Sequence, residues 1–197
     1  MIYPIVIYGS QVLRNISENI TPEYPELKKL IEDMWITLAE AEGVGLAAPQ
    51  VGVLKRIVVI DVGEGPIVMI NPKILETSGT QRGSEGCLSV PGKNGTVTRP
   101  MWVKAEFYGE DMEKYIIEGE ELLARAICHE LDHLEGILFF DHIDKKNPFK
   151  AEFTPTVREM FRRMAPNMDF GMRMIFANLW LFKPLLKKLM KSQSTIN

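Results

Sequence analysis

His129-Glu130-Leu131-Asp132-His133 sets two of the chain's three histidines four residues apart, with an acid beside the first. Four residues of α-helix turn the chain roughly 40° past one revolution, so both imidazoles project from one stripe and can grip a single metal ion. Glu130 sits next to the first histidine, close enough to hold a water on that metal without being a ligand, the pattern used in metal-dependent hydrolysis. The bland alternative is a pair of hydrogen-bonded core histidines beside a solvated acid. It fits poorly, because residues 120–134 are apolar almost all round through Leu122, Leu123, Ala126, Ile127, Leu131 and Leu134. A charge buried among them needs a partner.

A catalytic site of this kind takes three protein ligands and leaves a fourth position for water. Glu152, Glu159 and His142 are downstream candidates for the third ligand, without a motif around them. The better candidate lies upstream in Glu85-Gly86-Cys87-Leu88-Ser89: a thiolate suits soft or borderline metals, and the preceding glycine permits close approach of the backbone.

Together with Gly43-Val44-Gly45-Leu46-Ala47-Ala48-Pro49-Gln50, these blocks make the chain resemble a peptide deformylase, whose three motifs occur in this order. The resemblance spans about residues 3–145, including Val12-Leu13-Arg14, and stops before the tail. It implies removal of the N-formyl group from the N-terminal methionine of nascent polypeptides, with release of formate. The metal would be held by Cys87, His129 and His133. Water on that metal would attack the formyl carbon, with Glu130 as general base and then acid. Gln50 and the Leu88 N–H would serve as oxyanion donors. The methionine side chain would lie against Val44, Leu122, the stem of Arg125 and Ala126, with the substrate backbone along Gly43 and Gly45 as an added strand. Asp132, Glu85 and Arg99 read either as groups that orient the ligands or as ordinary surface ion pairs. Two imidazoles and a thiolate accept zinc, iron, cobalt or nickel alike; the resemblance implies Fe²⁺. Competing readings are a zinc metalloprotease using a downstream acid, and a metal-stabilised binding module without activity. The presence of both Glu130 and Gln50 speaks against the second.

The chain of 197 residues is long enough for one domain with a sizeable core, and 46% hydrophobic with 25% charged residues places it among ordinary globular proteins. Two cysteines cannot build a disulfide framework, which suits a reducing compartment. Cys128 lies about 100° around the helix from His129 and reads as a small buried residue. The N-terminus has neither signal-peptide nor transit-peptide character, so a cytoplasmic location is expected. No apolar run approaches the roughly 20 residues of a membrane span, and no DNA partner is expected.

Leu27, Leu30, Ile31, Met34, Leu38 and Ala41 recur at helical spacing, with a stop at Gly43. Residues 56–62 and 67–70 read as a hairpin, with further strands at 74–78, 96–99, 102–108 and 114–118. After the metal helix, Gly136 is the stop and 137–140 reads as extended. The expectation is an α+β fold: antiparallel or mixed sheets around a central HExxH helix, followed by a helical C-terminal tail. Residues 1–150 form the catalytic domain and 151–197 the extension. From Thr154 to Asn197 eight basic residues face two acids, a net +6 against −9 for the remainder. Such a tail could pack on the domain, dock on ribosomal RNA or lie on an anionic membrane surface.

Overall fold

The computed structural model describes residues 1–143. The extension at 151–197, with the third-ligand candidates Glu152 and Glu159, lies outside the described residues. Helix α1 spans Leu27–Ala41 and buries Leu27, Leu30, Ile31, Met34 and Leu38, the stripe that the periodicity marks out. Its left-handed terminal residue is Glu42 (φ 54°), one position before the glycine expected to stop it. Gly43 serves packing instead: a Cβ there would lie 2.7 Å from Leu38 Cδ1 and 2.9 Å from Leu88 Cδ1.

Strands β1 (Gly45–Ala47), β2 (Ile57–Ile60), β3 (Ile67–Ser78), β6 (Trp102–Tyr108) and β7 (Lys114–Glu120) form a five-stranded sheet in the order β1-β2-β3-β6-β7. Strands β4 (Gln81–Cys87) and β5 (Val90–Arg99) form a separate hairpin. The fold is α+β, and these strands pair antiparallel throughout; an isolated bridge, Glu18 with Lys55, runs parallel. β2 and β3 form the expected hairpin, Ile57 opposite Ile70 and Ile60 opposite Ile67. The expected separate strand at 74–78 is instead the continuation of β3. Asn71-Pro72 does not end that strand, because a register shift between Ile70 and Lys73 accommodates the proline. Asn71, at φ 49°, donates to and accepts from the Ile20 backbone at 2.8 Å each.

Alternation along β2 explains the two main cores. Val58 and Ile60 face Ala124, Ile127, Leu131 and Leu134 of α2 (Glu121–Leu134), while Ile57 and Val59 face the apolar stripe of α1. With both faces covered, Ile57-Val58-Val59-Ile60 reads as an unbroken apolar run and is wholly buried. Cys128 lies in the α2 core, as expected. After α2, Gly136 takes φ 69°. The expected extended run at 137–140 is not a strand: Phe139–His142 forms a 3-10 turn, closed by the Asp141 carboxylate accepting from the Leu138 N–H at 2.8 Å. No helix among the described residues is long and apolar enough to cross a membrane.

The burial pattern is checked by chemical denaturation. Ile60→Ala is expected to cost about 2–5 kcal/mol, the usual range for a buried large-to-small change. Ile116→Ala, 59% exposed on β7, should stay within about 0.5 kcal/mol of the parent.

Candidate metal centre

Cys87 is the last residue of β4, and Leu88 and Ser89 are the tight turn that joins it to β5. The turn carries the thiol over α2, where His129 and His133 lie one turn apart on the buried side. The ligand atoms of Cys87, His129 and His133 all fall within 4.8 Å of one another, with Cys87 Sγ 3.2 Å from His133 Nε2. This is the one such cluster among the described residues. His142 is not part of it: its Nε2 lies 2.9 Å from Asp132 Oδ2, at the surface.

Glu85, two residues before Cys87 on the same inward face of β4, is only 5% exposed. Its Oε2 lies 3.0 Å from His129 Nδ1. Arg99 donates from Nε and Nη2 to the two carboxylate oxygens at 2.9 and 3.0 Å, and from Nη1 to Asp132 at 2.6 Å. Arg125 adds a further bond to Glu85 Oε1 at 2.6 Å. Burial alone would raise the Glu85 carboxyl, but the hydrogen bonds from His129 and Arg99 hold it down at about 2. Glu85 and Arg99 are therefore a buried pair, and the surface ion-pair reading does not apply to them.

Glu130 has the opposite environment. It is 3% exposed, its Oε2 has no hydrogen-bond partner, and burial lifts its carboxyl to about 7 despite the nearby His129. Gly45 lies against it: a Cβ at that position would overlap Glu130 Oε1 and crowd its Cδ at 2.8 Å. Burial would lower His129 as well, but Cys87 and Glu85 hold it up at about 10, whereas burial and the His129 charge push His133 down.

Gln50, 1% exposed, follows β1 in a 3-10 turn spanning Ala48–Val51. Its Oε1 accepts from the Ala47 N–H at 2.8 Å, so the amide must present Nε2 to Cys87 Sγ, 3.5 Å away, and to Ser89 Oγ at 3.3 Å. Sequence reasoning passed over Ser89, which is fully buried, and the N-terminal segment, whose Val6 and Tyr8 N–H groups donate to the Gln50 and Ser89 carbonyls at 2.8 Å. Isolated apolar residues such as Val6 and Tyr8 carry no sequence signal for this contact. Of the residues expected to line a substrate slot, Val44 and Leu122 are 47% and 50% exposed, while Ala126 is buried in the α2 core. Arg125 is also buried, its guanidinium turned onto Glu85.

A thiolate and two imidazoles suit a divalent ion of borderline softness, and the unpartnered Glu130 oxygen beside them leaves an acceptor for a bound water. Fold and site thus define an α+β protein with a Cys/His/His cluster able to hold a metal. The polypeptide deformylase family model matches residues 2–149. A peptide deformylase of Agathobacter rectalis is 64% identical over 140 residues, 71% of this chain and 89% of that one. Peptide deformylase 1 of Clostridium acetobutylicum is 57% identical over 136 residues, 69% and 91% of the two chains. The crystal structure of peptide deformylase from Thermotoga maritima superposes with a TM-score of 0.71 at 41% identity, over 73% of this chain and 99% of that one. An Acinetobacter baumannii peptide deformylase with Met-Ala-Ser bound gives 0.70 at 34%, covering 73% and 99%. The chain belongs to the polypeptide deformylase family, metal-dependent hydrolases of N-terminal protein processing, and its family and fold support a deformylase function.

The Glu85 environment sets a pH dependence. A carboxyl held at about 2 against an ordinary 4.5 contributes stability that is complete above pH 4.5 and is lost as the pH falls toward 2. Glu85→Gln should flatten acid unfolding across that window and lower stability at pH 7 by roughly 3–5 kcal/mol, the cost of breaking a buried pair. Urea titrations of both proteins from pH 7 to pH 2.5 measure the difference.

Proposed function

We propose that this chain hydrolyses the N-formyl group of formyl-methionyl polypeptides through one divalent ion held by Cys87, His129 and His133, Fe²⁺ being the working metal. The observation that carries the reading is the Cys87, His129 and His133 cluster with the buried Glu130 carboxyl next to it in the chain, one of whose oxygens is unpartnered. A divalent ion bound at these ligands would lower the pKa of its water to about 7 and so would supply a nucleophile at neutral pH.

The chain's own groups do the rest. Glu130 Oε2 takes the proton of the attacking water and returns it to the departing amine; a carboxyl balanced near neutrality can do both. Gln50 Nε2, fixed by the Ala47 N–H, and the Leu88 N–H in the turn beside Cys87 are the donors for charge developing on the formyl oxygen. β1 lies at the sheet edge and pairs on one side only, with β2, and its other side is assigned to an extended peptide backbone. Val44 and Leu122 offer exposed apolar surface for the methionine side chain, and the buried Ala126 and the Arg125 stem are assigned to the same slot. The Met-Ala-Ser held by the Acinetobacter baumannii relative supports a methionyl peptide as the ligand class. Placement of Cys87 in the cluster argues against the zinc metalloprotease reading with a downstream ligand.

Formate release from a formyl-Met peptide, with metal content measured on the same sample, tests the proposal. Glu130→Gln should keep one metal per chain and lose about 10²- to 10⁴-fold in kcat, the worth of a positioned proton carrier. Cys87→Ala should lose metal and activity together. Wild-type turnover in the first, or tight metal binding in the second, would refute the assignment. Gly45→Ala should keep the fold, since Gly45 is not in the left-handed region, yet lower kcat by displacing Glu130. An unchanged kcat in that variant would show that the Gly45 contact does not set the position of the carboxyl.

A further inference from the structure

Arg125 projects from α2 one turn before His129 and is 9% exposed. A guanidinium buried this deeply is costly unless its donors are used. Here Nη1 donates to Glu85 Oε1 at 2.6 Å and to the Val97 carbonyl at 3.3 Å, and Nη2 donates to the Gln81 carbonyl at 3.4 Å. Opposite Val97 in the hairpin, β4 carries Gly83, where a Cβ would stand 3.1 Å from Nη2; the missing side chain makes room for the guanidinium.

One arginine would suffice for an ordinary ion pair. Arg99, however, is divided between two carboxylates, Glu85 and Asp132. Arg125 brings the buried group to two guanidinium ions for two carboxylates. It also completes the ring of donors on Glu85: Oε1 accepts from Arg99 and Arg125, Oε2 from Arg99 and His129. A carboxylate has about four acceptor sites, so Glu85 is saturated and cannot rotate without losing a bond.

We infer that Arg125 is a positioning residue for the metal centre: it fixes Glu85 as the acceptor of the His129 Nδ1 proton, which leaves Nε2 of that ring as the metal-binding atom. The inference rests on the reading of Cys87, His129 and His133 as metal ligands. It gives the Arg125 guanidinium a task separate from any contact its stem makes with substrate.

The test uses the full chain loaded with Co²⁺, read by chelator competition and by the d–d and thiolate charge-transfer bands. Arg125→Met keeps an apolar stem and removes the fork; it should weaken Co²⁺ binding about 10- to 100-fold, the range for partners that orient a ligating histidine, and shift the bands. Arg125→Lys restores the charge with a single donor and should fall between Met and wild type. In a Glu85→Gln background, Arg125→Met should change affinity by less than about threefold, because two groups acting through one contact are not additive. Wild-type affinity and spectrum in Arg125→Met, or an undiminished effect in the Glu85→Gln background, would overturn the inference. Should Arg125→Met fail to fold, Arg125→Lys decides: a shifted spectrum with weakened binding supports it, and wild-type behaviour overturns it. Failure of the ligand reading is distinguishable, since the wild type would then take up no Co²⁺, or Cys87→Ala would bind it equally well.

Discussion

A carboxylate stripped of water and given protein donors in its place holds this site together. Glu85 sits on β4, its partner Arg99 on β5, and Arg125 and His129 on α2, so a single side chain ties both strands of the hairpin to the helix. Removing an ion from water costs several kcal/mol, recovered only when geometry is good and every acceptor site is used. The hairpin lies outside the five-stranded sheet, so this network, with the small apolar cluster of Val90, Val97 and Phe139, fixes the height and rotation of Cys87 over the two histidines.

Two buried glutamates, both within hydrogen-bonding or helix-turn distance of His129, end in opposite states. Glu85 is saturated with donors and stays ionised to about pH 2; Glu130 has an unpartnered oxygen and is balanced near 7. Burial raises both; the hydrogen bonds and charges of His129 and Arg99 pull Glu85 back down, whereas Glu130 lacks such hydrogen bonds and feels the neighbouring Glu85 and Asp132 charges as well. The saturated group is fit to hold a ring in place, and the unsatisfied one to pick up and release a proton. An unsatisfied buried carboxyl works against stability, and the covered apolar faces of β2 and α2 supply the compensating burial.

Close approach is the second constraint. Gly45 allows β1 to run against the Glu130 carboxyl, and the neighbouring Ala47 N–H orients Gln50. β1 has this position because β2, buried on both faces, fixes it from the other side through Gly45 opposite Ile60 and Ala47 opposite Val58. Rigidity thus passes from an apolar core strand to a three-residue edge strand, and from there to the polar groups of the site. Preorganisation of this kind is what lets donors act without reorganising as charge develops.

Sequence alone determined the chemistry available and much of the frame. The i, i+4 histidines, the acid between them and the glycine-punctuated blocks are local patterns, and the helical periodicity of α1, the unbroken apolar run of β2 and the alternation along β6 reflect which faces must leave water. Tertiary structure decided the rest, because it depends on contacts between residues far apart in the chain. β4 shows little apolar alternation, and Gln81-Arg82-Gly83-Ser84 is a strand only because β5 pairs with it. Asn71-Pro72 signals a break in sequence and becomes a bulge in β3, held by the distant Ile20 backbone. Glu85, Arg99 and Asp132 could have been surface charges; burial by α2 and the hairpin made Glu85 and Arg99 a buried pair, with Asp132 on its rim. Arg125 reads in sequence as a stem against substrate, and folding turned its guanidinium inward, to the Glu85 carboxylate that bonds His129 of the HExxH motif.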